Sequence, residues 1–166
     1  MRCILATGTM FLTLSLLVYD FDGVITDNTV YVDQHGTETV RVHRGDGLAI
    51  SLFKKAGYKQ LILSTETNPV VSKRAEKLGI PVIQGSANKR DALQHYCKKN
   101  NIDLQTVLYV GNDINDYDVM QLVKYKICPA DAVDSIKAIS DVILTIKGGN
   151  GVIRELYDKL IGETYD

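Results

Sequence analysis

A doubly wound parallel α/β sheet is predicted by two features of the sequence. Short apolar runs of strand length, LLVYD, QLILS and VLYVG among them, lack polar alternation, as strands buried on both faces do. Between them lie segments with helical periodicity and helix start and stop signals. Strand and helix therefore alternate almost to the end of the chain, which implies a parallel sheet with helices on both faces. Ligands of such sheets bind outside the carboxyl ends of the strands.

The elements follow in order. LLVYD is the first strand, and VYVDQHGTETVRVH reads as a hairpin that alternates on both arms and turns at Gly36. Tyr31 fits packing within that hairpin. Asp46 can cap a helix running to about Lys55, which Gly57 ends. QLILS is the next strand. Asn68 and Pro69 make an N-cap and N1 pair for a helix that stops at Gly79. PVIQG is a short strand, and a helix follows from about Lys89 to Asn100. VLYVG precedes a helix from about Asn115 to Val123. YKIC, a short helix over Asp134 to Ile139, VILT and the amphipathic GVIRELYDKL complete the pattern. Gly148-Gly149-Asn150-Gly151 reads as a flexible turn before the last helix.

The chain has 166 residues, enough for one domain with a sizeable core. Its net charge of −1 and unclustered basic residues exclude a nucleic-acid or anionic-membrane footprint. Cys3, Cys97 and Cys128 show no CxxC spacing, which fits reduced thiols in a cytoplasmic protein and no metal cage. The N-terminal MRCILATGTMFLTLSLLV carries one Arg and an apolar run, but no A-x-A pattern precedes Asp20. Cleavage there would remove the strand that carries the acids. Residues 1–15 are thus expected to be a leader or a non-native start, and 16–166 the domain.

Four strand ends carry polar groups: Asp20 and Asp22, Ser64, Gly85, and Asn112-Asp113. All would meet at one crevice. Carboxylates two positions apart can divide labour, one attacking or binding metal and the other moving a proton. Asp20, Asp22, Asn112, Asp113 and Asp116 would repel one another without a cation, and oxygen donors favour magnesium over zinc. Ser64 supplies a hydroxyl and Lys89 a charge suited to phosphate. Each motif alone has a plainer reading as a loop acid, a cap or a solvated lysine. Their common order points to metal-assisted phosphoryl transfer to a carboxylate. Receiver domains of two-component signalling use a similar inventory, but place the lysine after the later acids. Here Lys89 precedes them.

D-x-D-G-V-x-T-D, a strand ending in Ser, a Lys and G-N-D-x-x-D together resemble the haloacid dehalogenase (HAD) superfamily over about residues 16 to 160. The resemblance implies a HAD-like, Rossmann-like fold, with Asp20 as nucleophile. Asp22 would be general acid and base and would offer its main-chain carbonyl to Mg2+. It also implies Ser64 and Lys89 on the phosphoryl group, with Asp116 supporting the metal site. V-D-Q-H-G-T-E, R-G-D-G-L-A-I, S-T-E-T-N-P-V-V-S-K-R-A-E-K-L, Q-G-S-A-N-K and K-G-G-N-G-V-I-R-E resemble one subfamily. It holds the phosphatases of 3-deoxy-D-manno-octulosonate 8-phosphate and of nonulosonate 9-phosphates. The same domain occurs fused behind acylneuraminate cytidylyltransferases.

Two departures stand out. Ser64-Thr65-Glu66 replaces the usual T-G-E, and Asn112 replaces the usual carboxylate of G-D-D. Either Asn112 ligates the metal through its amide oxygen, or Asp113 turns in to replace it. The expected function is a magnesium-dependent phosphatase of a 2-keto-3-deoxy sugar-acid phosphate. The alternative is a non-catalytic assembly domain associated with an acylneuraminate cytidylyltransferase. Only a hairpin fits between Asp27 and Asp46, and one helix and one strand between Ser64 and Lys89, so the fold should be capless. The subfamily forms homotetramers through such hairpins. That implies Gly148 to Arg154 near a neighbour's active site, Arg154 on a substrate carboxylate, and Glu66 and Arg74 facing the sugar.

Overall fold

The computed structural model describes residues 14–162. The expectation of a leader over 1–15 falls almost wholly outside them. Six parallel strands form the central sheet: β1 (Leu16–Tyr19), β4 (Lys59–Leu63), β5 (Val82–Ile83), β6 (Val107–Val110), β7 (Tyr125–Cys128) and β8 (Val142–Ile143), in the order β5-β4-β1-β6-β7-β8. Strand β1 pairs on one side with β4, Tyr19 opposite Ile62, and on the other with β6, Tyr19 opposite Val110. The chain winds outward in both directions from β1. The crevice therefore opens at the carboxyl ends of β1 and β6, where Asp20 and Asn112 stand.

Period-two alternation sorts the strand side chains into two cores. Leu17, Tyr19, Ile62 and Val110 pack with α1 (Arg44–Lys55), α2 (Val70–Leu78) and α6 (Val152–Ile161) through Phe53, Ala75 and Ile153. Leu16, Val18, Leu63 and Tyr109 pack on the other face with α3 (Lys89–Lys99), α4 (Tyr117–Met120) and α5 (Asp134–Ile139) through Leu93, Met120 and Ile136. This two-sided burial is why the strand sequences carry no polar alternation. The separate ribbon of β2 (Thr26–Val32) and β3 (Glu38–Val42) turns at Gly36, whose φ is 78°.

Four local expectations need correction. Helix α1 begins at Arg44, and its cap is His43, whose ring accepts from the Gly45 amide. Asp46 lies buried within the helix and accepts instead from the Arg154 amide at the start of α6, 3.0 Å away. Tyr31 does not pack inside the hairpin; it is 71% exposed, beside exposed Val30 and Val32. The Gly148–Gly151 run is seated rather than free. Gly149 N donates to Val24 O at 3.0 Å, and Gly148 N to Asp131 Oδ1 at 2.9 Å. The helix expected over 115–123 is shorter, a 3-10 turn at Ile114–Asp116 followed by α4. Asn68 still feeds the start of α2, accepting from Val70 N at 3.0 Å, and Gly79 ends that helix with φ 63°.

Candidate active site

The chain leaves β1 at Asp20 and folds Phe21–Ile25 into one wide turn, closed by Thr26 N donating to Phe21 O. Gly23 breaks the helical geometry there with φ 84°. A Cβ at Gly23 would lie 2.5 Å from Asn112 Cγ, so both the backbone and the neighbour require glycine. The turn is fastened by Thr26, whose hydroxyl accepts from the Gly23 and Asn28 amides and donates to Asp22 Oδ1 at 3.5 Å.

Asp20 is 3% exposed. Its Oδ1 accepts from Phe21 N and pairs with Lys89 Nζ, each at 2.7 Å. Lys89, itself buried, also bridges to Asp116 Oδ1 at 2.8 Å. Burial, and then repulsion from Asp116, push the Asp20 carboxyl well above the usual carboxylate range, while Lys89 opposes both. Asp116 touches no open space. It accepts from Tyr109 OH, the Asn112 amide and, more weakly, the Asp113 amide, and so holds Lys89 and the 112–116 turn together. Asp22 is half-buried, and burial followed by Glu66 raises its carboxyl. A raised carboxylic acid beside a phosphate site suits proton transfer.

A cavity of about 250 Å³ is lined by Asp20, Asp22, Asn28, Thr65, Asn112, Asp113 and neighbours. Ser64, next to Thr65 at the end of β4, is buried and does not itself line the cavity; its Oγ accepts from Glu66 N at 3.0 Å. Glu66 caps the next turn through the Thr67 and Asn68 amides. Arg74 is not on this cavity. It lines a separate one of about 580 Å³ between α1 and α2, with Arg44, Lys54 and Lys77 as the other charged groups. Arg154 is also off the cavity within its own chain, and its Nε donates to Asp158 at 3.0 Å. Asn28, Thr65 and Asn115 were not anticipated from the sequence. Asn28 stands at positive φ (64°) immediately after the D-x-D-G-V-x-T-D motif; an Asn directly after it was the available signal, since Asn tolerates the left-handed region.

Among the described residues no three His, Cys, Asp or Glu side chains are placed to hold a metal. The donors here are of mixed kind: Asp20 Oδ2, the Asp22 carbonyl and the Asn112 amide. The amide tip lies 2.9 Å from Asp22 O and 3.2 Å from Asp20 Oδ2. Adjacent ligands on an octahedral magnesium, with bonds of about 2.1 Å, stand about 3.0 Å apart. These donors therefore fit magnesium. Asp113 spends one oxygen on the Ile114 amide at 2.7 Å, as the cap of its turn.

The profile of the haloacid dehalogenase-like hydrolases matches residues 49–156. The chain belongs to that family. It is 32% identical over 147 residues to the 3-deoxy-D-manno-octulosonate 8-phosphate phosphatase KdsC of Escherichia coli K12, covering 88% of this chain and 78% of that one. A solved structure from Streptomyces avermitilis shares 44% identity with a TM-score of 0.90, over 93% of this chain and 88% of that one. The Moraxella catarrhalis 3-deoxy-D-manno-octulosonate 8-phosphate phosphatase, solved with magnesium, phosphate and KDO, shares 30% identity with a TM-score of 0.88, over 93% and 89%. This HAD hydrolase is a phosphatase of the capless subfamily to which these relatives belong. Among its described residues only the β2–β3 ribbon lies between the turn after Asp20 and α1, and only α2 and β5 separate Ser64 from Lys89. No helix of the described residues is long and apolar enough to cross a membrane.

Proposed function

We propose that this HAD phosphatase hydrolyses a 2-keto-3-deoxy sugar-acid phosphate, an octulosonate 8-phosphate or a nonulosonate 9-phosphate, with magnesium. The observation that carries the reading is the division of the Asp20 carboxylate. One oxygen is held by Lys89, and the other faces Asp22 O and Asn112. Asp20 attacks phosphorus, forming an aspartyl-phosphate as the bond to the sugar oxygen breaks. Asp22 gives that oxygen its proton. Asp22 then takes a proton from water as the water attacks phosphorus, which frees phosphate and restores Asp20. Ser64 Oγ and Lys89 Nζ hold the phosphoryl oxygens. Asp20, the Asp22 carbonyl and Asn112 would hold the metal, with Asp116 behind them; when bound it supplies charge to the transferring phosphoryl group.

Asp113 is the less favoured ligand because its carboxylate caps its own turn. Glu66, close enough to raise the Asp22 carboxyl, is assigned to the sugar hydroxyls. Arg74 belongs to a cavity whose charged lining is wholly cationic, which suits the acid end of the substrate. The exposed Val30, Tyr31 and Val32 support a homotetramer built on the ribbon, which would bring Arg154 of one chain to its neighbour's substrate. A cytidylyltransferase is the candidate protein partner, through the resemblance described above.

Phosphate release from both sugar-acid phosphates, with magnesium and with EDTA, tests the reading. Release that needs magnesium and disappears in Asp20→Asn is the expected result. Equal release from simple sugar phosphates, or persistence in Asp20→Asn, refutes it.

A further inference from the structure

Asp20 Oδ2 and the Asp22 carbonyl are both acceptors and both approach the tip of Asn112. Something with a proton or a positive charge must lie between them. Lys89 does not fill that place, because it is committed to Asp20 Oδ1 and Asp116 Oδ1. We infer that the Asn112 amide is a built-in stand-in for the cation. In the structure Asn112 Oδ1 faces Asp22 O (2.9 Å) and Asp20 Oδ2 (3.2 Å) with Nδ2 toward Gly23, the orientation that would receive the metal; without metal the amide turns over, and Nδ2 donates to both oxygens. This rests on the metal-assisted phosphatase reading given above.

The surroundings leave Asn112 little other freedom. Its backbone amide donates to Asp116 Oδ2 at 2.9 Å, and its carbonyl accepts from Val133 N at 2.9 Å. The residue is 7% exposed, and Gly23 walls its side chain so closely that even a Cβ there would fall 2.5 Å from Asn112 Cγ. A half-turn about the last torsion keeps the same envelope while exchanging donor for acceptor. With nitrogen inward, both facing oxygens are satisfied. With oxygen inward, three oxygens converge without a proton, an arrangement that only a cation stabilises.

An aspartate at this position could not do both. It would add charge for the metal but leave the empty site with two facing carboxylates and no donor between them. Asn112 therefore exchanges metal affinity for a metal-free site that is already complete. The site should empty and refill without loss of order, and should draw on substrate phosphate oxygens for much of its hold on the metal.

Asn112→Asp and the wild type are compared by thermal melting in EDTA and in saturating magnesium, and by magnesium titration calorimetry. The variant is expected to melt lower in EDTA, to gain more from magnesium, and to bind it on the order of tenfold more tightly. A second measurement needs no variant. In ¹⁵N spectra of the wild type, the Asn112 side-chain NH₂ should shift on adding magnesium, as it turns away from its two acceptors toward Gly23. Equal melting in EDTA with magnesium affinities within about twofold, or an unmoved NH₂ signal at saturation, overturns the inference. Magnesium bound alike by both proteins sinks the Asn112 assignment and leaves the phosphatase reading standing. Magnesium bound by neither sinks both.

Discussion

Replacing Lys89 with Met tests the centre of the site with one change of similar shape. Lys89 Nζ lies 2.7 Å from Asp20 Oδ1 and 2.8 Å from Asp116 Oδ1, and all three side chains are 4% exposed or less. Removing one member of a buried charge cluster leaves the others uncompensated, which costs about 3–5 kcal/mol. The cost should depend on pH in a definite direction. The Asp20 carboxyl is already pushed up by burial and by Asp116, and with Lys89 it loses the group that opposes both. A carboxyl whose folded-state pKa lies above its unfolded value binds more protons when folded, so stability falls as pH rises through that window. Urea unfolding of Lys89→Met should therefore show the larger deficit at pH 8 and a smaller one at pH 5.5. Adding Asp116→Asn should recover part of the stability at pH 8 by removing one of the two opposed charges, while turnover stays lost because the phosphoryl group still lacks its lysine. A deficit below about 1 kcal/mol at pH 8, the range of a surface pair, or one that does not change with pH, would refute this account of the cluster.

Other outcomes can be checked with the same protein. Asp46, raised by burial to about 6, should make the wild type less stable as pH rises from about 4 to 6, by about 2–3 kcal/mol in all; Asp46→Asn should flatten that slope in urea titrations. A Cβ at Gly149, where φ is 68°, would meet Asp27 N at 2.3 Å, so Gly149→Ala should cost about 1–3 kcal/mol by denaturant unfolding and lower turnover by shifting the turn that carries Asp22. Val32→Asp should yield monomers by light scattering if the ribbon is the assembly surface. Arg154→Ala should then raise KM for a sugar-acid phosphate while sparing p-nitrophenyl phosphate, which has no carboxylate.

What could be read from the sequence was what depends on local pattern. The runs that became β1, β4 and β6 carry the signature of strands covered on both faces, and YKIC and Asp134–Ile139 fell where they were expected. Asp20, Lys89 and Asn112 converge because each follows a strand or begins a helix at the carboxyl ends of the sheet's strands, a consequence of topology alone. Asp46 was misread because capping was sought in its own helix, whereas its partner is the start of α6, far along the chain. The Gly148–Gly149 seat escaped for the same reason. Glycine signals freedom to the reader of a sequence, but here its missing Cβ permits backbone contact with Gly23 and Asp27.

That seat links the end of the chain to the chemistry. Arg41 bridges the Asp27 carboxylate and Asn150 Oδ1, each at 2.9 Å, while Gly149 N donates to Val24 O at 3.0 Å. The wide turn after Asp20 is thus held from outside by the ribbon and the glycine run, and from inside by Thr26 and Asn112. Asp22 must present a carbonyl to one side and a carboxyl to the other with the backbone at Gly23 left-handed, a geometry that a free loop would not keep. A capless enzyme has no lid to impose that order when substrate arrives. Fixing the turn from both sides builds the order into the resting protein, which is where the residues of the first motif, the ribbon and the C-terminal glycines act as one structure.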